Sequence, residues 1–266
     1  MERPHWASSA VDVNRPSPSR IYDYLLGGGH NFAADREVAR ALLALEPSTA
    51  LVAKANRAFL HRAVRELVAL GVDQFLDIGS GIPTVGNVHE IAQSLRPGAR
   101  VVYVDIDPVA VAHSQLILGD NPDAGVLQAD LRDTAKILTD PVTTGLLDLD
   151  RPVAVLLVAM LHFLPDDAEI ADCLHRLHDE LAPGSYLVLS HLLKVLPPDQ
   201  QSPAHDEYNR SVMAITLRNR DRIAALFAGF DLIEPGLVPT NRWRPDGDLD
   251  ATAELSILSG VARLAP

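Results

Sequence analysis

An α/β fold is predicted, built on a seven-stranded, mostly parallel sheet flanked by helices. Three observations carry this expectation. Short apolar segments of strand length recur from Gln74 onward, as QFLDIG, ARVVYVD, AGVLQAD, VAVLLVAM and SYLVLSH, with helix-period or loop stretches between them. Strands alternating with helices imply parallel pairing through right-handed crossovers. The first strand ends in Asp77 and runs into Gly79 and Gly81, and the second ends in Asp105. That is the arrangement of the nucleotide-binding half of a Rossmann-like domain.

In chain order, residues 1–19 lack the apolar stretch of a signal peptide and read as a disordered tail. Residues 20–71 read as an N-terminal helical cap. Ile21, Tyr24 and Leu25 lie at helical spacing up to the glycine run Gly27 to Gly29; a second helix covers Ala33 to Leu45 and stops at Glu46-Pro47; a third covers Thr49 to Leu70, closed by Gly71. Residues 72–266 form the core. Its helices fit Thr84 to Leu95, Pro108 to Leu118, Thr134 to Leu138 and Asp166 to Leu181. After His191 comes the proline-rich loop LLKVLPPDQQSPA, then helices over about His205 to Thr216 and Asn219 to Ala228. An insertion at about 194–220 would sit over the ligand edge of the sheet as a lid. FDLIEPGLVP and ELSILSGVARL complete the sheet as antiparallel strands six and seven.

Composition narrows the function. The net charge is −12, from 23 basic and 35 acidic residues, so a nucleic-acid partner would be repelled at long range. Cys173 is the single cysteine, which fits a reducing, cytoplasmic setting and rules out a cysteine-built zinc site. The longest apolar run, from Val153 to Met160, is too short to span a bilayer. With no HxxxH and no acidic triad at ligand spacing, no metal is expected.

In an open α/β sheet, ligands bind beyond the carboxyl ends of the strands. Asp77, Gly79, Gly81, Asp105, Asp130 and His162 all fall at such ends. Asp105, about 24 residues beyond Gly81, is at the usual distance for a carboxylate that grips ribose hydroxyls. A dinucleotide meets two objections. Pro83 removes a backbone donor where a diphosphate would sit on a helix start, and Asp77 would repel that diphosphate by about 1–4 kcal/mol. S-adenosylmethionine reverses the sign, since it carries a sulfonium and an ammonium and no phosphate. An NAD-dependent oxidoreductase is therefore the disfavoured alternative. A plainer reading, with Asp77 capping a loop and the glycines making a tight turn, does not explain acids at three successive strand ends.

These residues bring a resemblance into view. The chain resembles class I S-adenosylmethionine-dependent methyltransferases, and more narrowly an actinobacterial S-adenosyl methyltransferase family first catalogued as a domain of unknown function. SRIYDYLLGGGHNFAADREVA, NRAFLHRAVRELVALGVDQFLDIGSGIPTVGNVHEIAQ, VVYVDIDPVAVAHSQLIL and the later WRP at Trp243 to Pro245 carry it. The resemblance implies that Gly79 and Gly81 lie under the methionine and sugar portions of the cofactor, that Asp105 binds ribose, and that Ile106 packs near adenine. It further implies that Asp130 and Leu131 meet the adenine amino group, and that Ala159 and Met160 pass close to the methionine moiety. Pro83 departs from the class pattern at the third glycine.

The N-terminal segment adds a second set of candidates. Tyr22, Asp23, His30, Asn31 and Phe32 flank a glycine run too costly for a helix interior, so the segment either folds over the cofactor as a wall of the acceptor pocket or is a plain helix C-cap. Asn56 and Arg57 either reach the cofactor carboxylate or belong to a surface helix pair. Methyl transfer demands mainly proximity, orientation and exclusion of water, with a base needed only for a protonated acceptor. His162, His191 and Tyr22 are the catalytic candidates; each histidine has the alternative of a hydrogen-bonded structural role. The expected function is methyl transfer to a small-molecule acceptor through a mostly apolar pocket. A non-catalytic S-adenosylmethionine-binding protein is the alternative of a different class, and a homodimer is left open.

Overall fold

The structure, a computed structural model, describes residues 12–83, 86–195, 202–247 and 252–265. Five strands, β1 (Gln74–Ile78), β2 (Arg100–Asp105), β3 (Ala124–Gln128), β4 (Ala154–Val158) and β5 (Tyr186–Leu192), pair in parallel in the order β3-β2-β1-β4-β5. β8 (Ile257–Leu264) then runs antiparallel to β5 from Tyr186↔Arg263 to Leu192↔Ile257. The reversal of order between β1 and β4 places the switch point at the carboxyl ends of those strands, where ligands enter such sheets.

The described sheet has eight strands, one more than the sequence pattern predicts. The segment read as a single sixth strand is broken into β6 (Phe230–Leu232) and β7 (Val238–Pro239), both paired with β8. Pro235 has no N–H for the ladder. Gly236 turns back to donate to the Ile233 carbonyl, so the chain leaves β8 and rejoins it six residues later.

Both faces of the sheet are covered. On one, Leu76, Val102, Val155 and Leu187 pack with Ile170, Leu174 and Leu177 of α8 (Asp167–Glu180). On the other, Phe75, Val101, Leu156 and Val188 pack with Phe59, Ala63, Val64 and Leu67 of α3 (Thr49–Ala69). Burial on both sides explains why these strands read as unbroken apolar runs. α4 (Val88–Leu95) starts later than the pattern predicts. Asn87 and Glu90 form a capping box there, with Glu90 accepting from the Asn87 N–H; Thr84 and Val85 lie outside the described residues. α5 (Pro108–Leu118) has the predicted limits, and α6 (Thr134–Thr139) ends one residue later than expected. α7 (Pro141–Leu146) was not foreseen: its PVTTGL composition is weak for a helix, but Asp140 caps it through the Val142 N–H and it packs on β3.

The cap is ordered from further back than expected. α1 (Pro18–Leu25) starts on a proline at its first turn, within what the sequence reads as tail, and Ser17 before it is buried. α2 (Ala33–Leu45) lies against α1 and against α9 (Pro203–Ser211) of the insertion. Ile21, Leu25, Val38 and Leu42 share one apolar cluster with Tyr208 and Val212. The expected insertion helices are shorter than predicted, as α9 and α10 (Arg220–Ala225); residues 196–201 of that insertion lie outside the described ones. The cap and the insertion thus meet above the carboxyl edge of the sheet. No helix among the described residues is long and apolar enough to cross a membrane.

Candidate active site

Where the strands end, one cavity of about 860 Å³ opens between the sheet edge, the cap and the insertion. Its floor is the first-strand loop. Gly79 and Gly81 take φ of 77° and 68°, the left-handed region that glycine enters freely. At Gly79 the requirement is also spatial, because a Cβ there would collide with the Met160 side chain. Asp105 fixes the loop from the next strand: one carboxylate oxygen accepts from the Gly81 N–H at 2.7 Å and the other from the Asp107 N–H at 2.8 Å. Each oxygen keeps a lone pair for a further donor.

Asp77 is buried at the end of β1 and lines the same cavity. Burial raises its pKa to about 7; the Arg57 guanidinium opposes that rise and the Asp105 carboxylate adds to it. Burial likewise raises Asp105 to about 6, while the backbone N–H groups of Asp107, Gly81 and Ile106 pull it down. A buried carboxylate facing a cavity fits a cationic ligand, which would remove the cost of its charge. Ile106, 61 % exposed, presents an apolar side chain at the rim. Asp130 also lines the cavity; Arg132 grips its carboxylate at 3.0 Å and holds its pKa below the usual range. Leu131, Ala159 and Met160 complete the strand-end wall.

Among the described residues of this wall, Ala159 is the strained one. Its φ is 56°, unusual for a side chain with a Cβ. The Ser190 hydroxyl and carbonyl hold its N–H at 2.9 and 3.2 Å. Ser190 Oγ donates in turn to Asn56 Oδ1, Asn56 Nδ2 donates to the Tyr22 hydroxyl at 2.9 Å, and that hydroxyl donates to the Ala53 carbonyl. A polar chain therefore ties the cap to the end of β4 and fixes Tyr22 in the cavity wall. Burial raises the Tyr22 pKa.

The YDYLLGGGHNF segment is both a C-cap and a wall. Gly27, at φ 87°, ends α1, and its N–H donates to the Tyr24 carbonyl. A Cβ at Gly28 would overlap the carboxylate of Asp23, which is buried and accepts from the His30 N–H and from Asn31 Nδ2, each at 2.8 Å. Asn31 also donates to the Gly28 carbonyl and accepts from Arg36. It closes this loop and is not among the residues lining the cavity, whereas Tyr22 and Arg57 are.

The two histidines part company. His162, in the turn Leu161–Phe163 after β4, is buried, lines the cavity, and has no hydrogen bond at Nδ1. Burial, with His191 and Arg218 nearby, depresses its pKa well below the ordinary value. His191 is buried away from the cavity. Its Nδ1 meets the Leu192 carbonyl at 2.8 Å, which requires a proton there, so Nε2 accepts from Arg218 at 2.9 Å. Burial lowers His191 to about 4. Arg218 itself is fully buried; it also donates to the Leu161 and Leu164 carbonyls and pairs with Asp167 at 2.7 Å. It fastens the turn that carries His162.

Sequence reasoning missed several of these groups. Ser17 and Ser19 both donate to Asp107, at 2.6 and 3.0 Å, and bring the start of α1 onto the cavity rim. Pro18 and the Asp107-Pro108 pair carry local signals for the two helix starts, though none for their meeting. Tyr208 and Arg218 have no such signal, since distant elements meet there. The WRP motif lies away from the cavity: Trp243 is fully buried against Phe59, and the Trp243 and Thr240 carbonyls accept from Arg62, anchoring α3 to the far side of the sheet. Among the described residues no group of three or more His, Cys, Asp or Glu is placed to hold a metal ion.

Comparison with known proteins agrees with this geometry. A model of the S-adenosyl methyltransferase family matches residues 4–265. The structure of a candidate methyltransferase from Thermobifida fusca YX superposes with a TM-score of 0.92 at 39% identity, covering 98% of this chain and 100% of that one. A DUF574 family protein from Streptomyces avermitilis MA-4680 follows with a TM-score of 0.87 at 38% identity, covering 96% and 99%. At 17% identity the CurJ carbon methyltransferase, with a TM-score of 0.54 and coverage of 92% and 67%, shares the fold. No curated protein matches the chain. With acids at successive strand ends, a glycine loop shaped for close approach and a match along nearly its whole length, the chain belongs to the S-adenosyl methyltransferase family and uses S-adenosylmethionine as its methyl donor.

Proposed function

We propose that the chain methylates a small-molecule acceptor held between the strand-end turn that bears His162 and the cap and insertion that meet above it. One observation carries the reading: a single cavity joins the strand-end acids to the apolar wall formed by α1, α2 and α9. Asp77 and Arg57 would hold the ammonium and carboxylate of the cofactor's methionine portion, and Asp105 its ribose. Ile106 would cover the adenine, with Asp130 and Leu131 at its amino group, while the Gly79 and Gly81 backbones allow close approach. Bound there, S-adenosylmethionine would supply an electrophilic methyl group for in-line attack by the acceptor, with the thioether of S-adenosylhomocysteine as the leaving group. The protein's part is to orient the acceptor, exclude water and take up a proton. His162 is the base. Tyr22 shapes the wall, while Asn31 and His191 act at one remove, through the Asp23 loop and through Arg218.

A dinucleotide finds little purchase here. The Gly81 N–H is already taken by Asp105, and α4 begins only at Val88, well past the glycine loop. Calorimetry on one sample with S-adenosylmethionine and with NAD tests the cofactor site; tighter NAD binding would sink it. Incorporation of labelled methyl groups into small molecules of a cell extract tests the reaction. Binding of the cofactor with label appearing only in macromolecules, or nowhere, would refute the acceptor class or the catalysis.

A further inference from the structure

The acceptor end of the cavity has its own chemistry. α1 to α3, the turn after β4 and the insertion line it with Leu25, Leu42, Val52, Phe163, Val212 and Ile215. Every carboxylate around the cavity belongs to the strand ends or to the chain just before α1: Asp12, Asp77, Asp105, Asp107 and Asp130. Among the described residues the cap and the insertion contribute none. Of the cap's two cations at the cavity, Arg20 is paired with Asp35 at 2.8 Å and Arg57 acts on Asp77. A charged acceptor would lose its hydration at this end without finding a counter-charge.

Two polar groups there lack partners among the described residues. The His162 ring lines the cavity and neither of its nitrogens has a hydrogen bond among the described residues, Nδ1 being the one closed off from solvent. The Tyr208 hydroxyl, on α9, makes none either, and burial alone raises its pKa, beyond the ordinary phenol range. The other polar side chains at this end, Tyr22, Thr49 and Asn56, are committed to protein partners. One group is thus left to take a proton and one to donate a hydrogen bond, both set in an apolar wall.

We infer that the acceptor is an uncharged, largely apolar molecule methylated on a weakly acidic hydroxyl, with His162 as proton acceptor and Tyr208 as donor to an oxygen of the same scaffold. This rests on the methyl-transfer reading above. As the O–CH3 bond forms, the S–CH3 bond breaks and its electron pair stays on sulfur, while the hydroxyl proton passes to His162. A sulfonium and a neutral imidazole become a thioether and an imidazolium, so the net charge of the cavity does not change. That conservation lets a buried, weakly basic histidine serve, because the site exchanges one cation for another.

The test uses the full chain saturated with S-adenosylhomocysteine, and four probes titrated by fluorescence: 2-naphthol, 2-naphthoate, 2-naphthylmethylammonium and 2-methylnaphthalene. Naphthol should bind at least about tenfold more tightly than either charged probe. Tyr208→Phe should weaken naphthol by about tenfold, the worth of one buried hydrogen bond, and leave 2-methylnaphthalene unchanged. A charged probe that binds as well as naphthol, no binding of naphthol, or a Tyr208→Phe variant that binds naphthol unaltered overturns the assignment. Calorimetry of S-adenosylmethionine on the same sample separates the two levels. Intact cofactor binding with failed naphthol selectivity removes only the acceptor class; absent cofactor binding removes the methyl-transfer reading with it.

Discussion

Replacing Arg218 is expected to cost far more stability than removing a surface ion pair. Its guanidinium is fully buried and serves four acceptors within 3.2 Å, the Leu161 and Leu164 carbonyls, His191 Nε2 and the Asp167 carboxylate, with the Pro165 carbonyl farther off at 3.5 Å. Asp167 is about half exposed, and its loss alone would amount to less than about 1 kcal/mol. The other three are buried, and each buried acceptor left without a donor costs about 1–3 kcal/mol. Water reaching the turn from the cavity reduces that sum. Arg218→Met should therefore destabilise the chain by about 3–5 kcal/mol, within the range for breaking a buried charged network. Arg218→Lys should recover only part of this, since an ammonium cannot reproduce the planar fork. Equilibrium urea unfolding followed by circular dichroism measures both. If Arg218→Met costs under about 1 kcal/mol, the guanidinium is not what holds the turn bearing His162.

Two further perturbations probe the floor of the cavity. Gly79→Ala forces a left-handed Cβ into Met160, and should cost about 1–2 kcal/mol for the backbone and a further 1–3 kcal/mol for the clash; a double-mutant cycle with Met160→Ala should recover the second part, and strict additivity would show that the clash is relieved some other way. Asp77, with a pKa of about 7 in the ligand-free chain, must lose its proton before it can pair with a cationic ligand. Affinity for S-adenosylmethionine should then climb with pH by up to about tenfold per unit below 7, with Asp105 adding to the slope below about 6, and level off above it. Asp77→Asn should flatten the climb, and calorimetry giving equal affinity at about pH 5.5 and pH 8 for the unaltered chain would contradict the assignment.

The core of the fold was readable because local signals agreed with the global arrangement. The parallel strands are buried on both faces, so their unbroken apolar runs stand out, and Ala33–Leu45 and Pro108–Leu118 are bounded by local start and stop signals. The cofactor end was legible for the same reason: Asp77, Gly79, Gly81 and Asp105 are set by strand ends close in sequence. The acceptor end was not. Tyr208 meets the cap across about 170 residues of chain, and Arg218 reaches back to Leu161, so neither leaves a periodic or spacing signal. His162 and His191 looked equivalent at the ends of adjacent strands. Only packing separates them, by turning one into the cavity and locking the other against Arg218. The same holds for Asn31, whose place beside the glycine run suggests a wall over the cofactor while its amide is committed to closing the Asp23 loop.

The divided outer edge has a consequence for how the molecule behaves in company. A continuous strand beside β8 would offer its free N–H and C=O groups in a row, a template onto which another chain can add. Here that border is three residues of β6, a departure at Pro235 and Gly236, and two residues of β7 ending in Pro239. No stretch of it is long enough to register with an incoming strand, and its prolines withhold donors where one would dock. This edge of the sheet is thereby a poor template for an added strand, through the same interruption that raises the strand count.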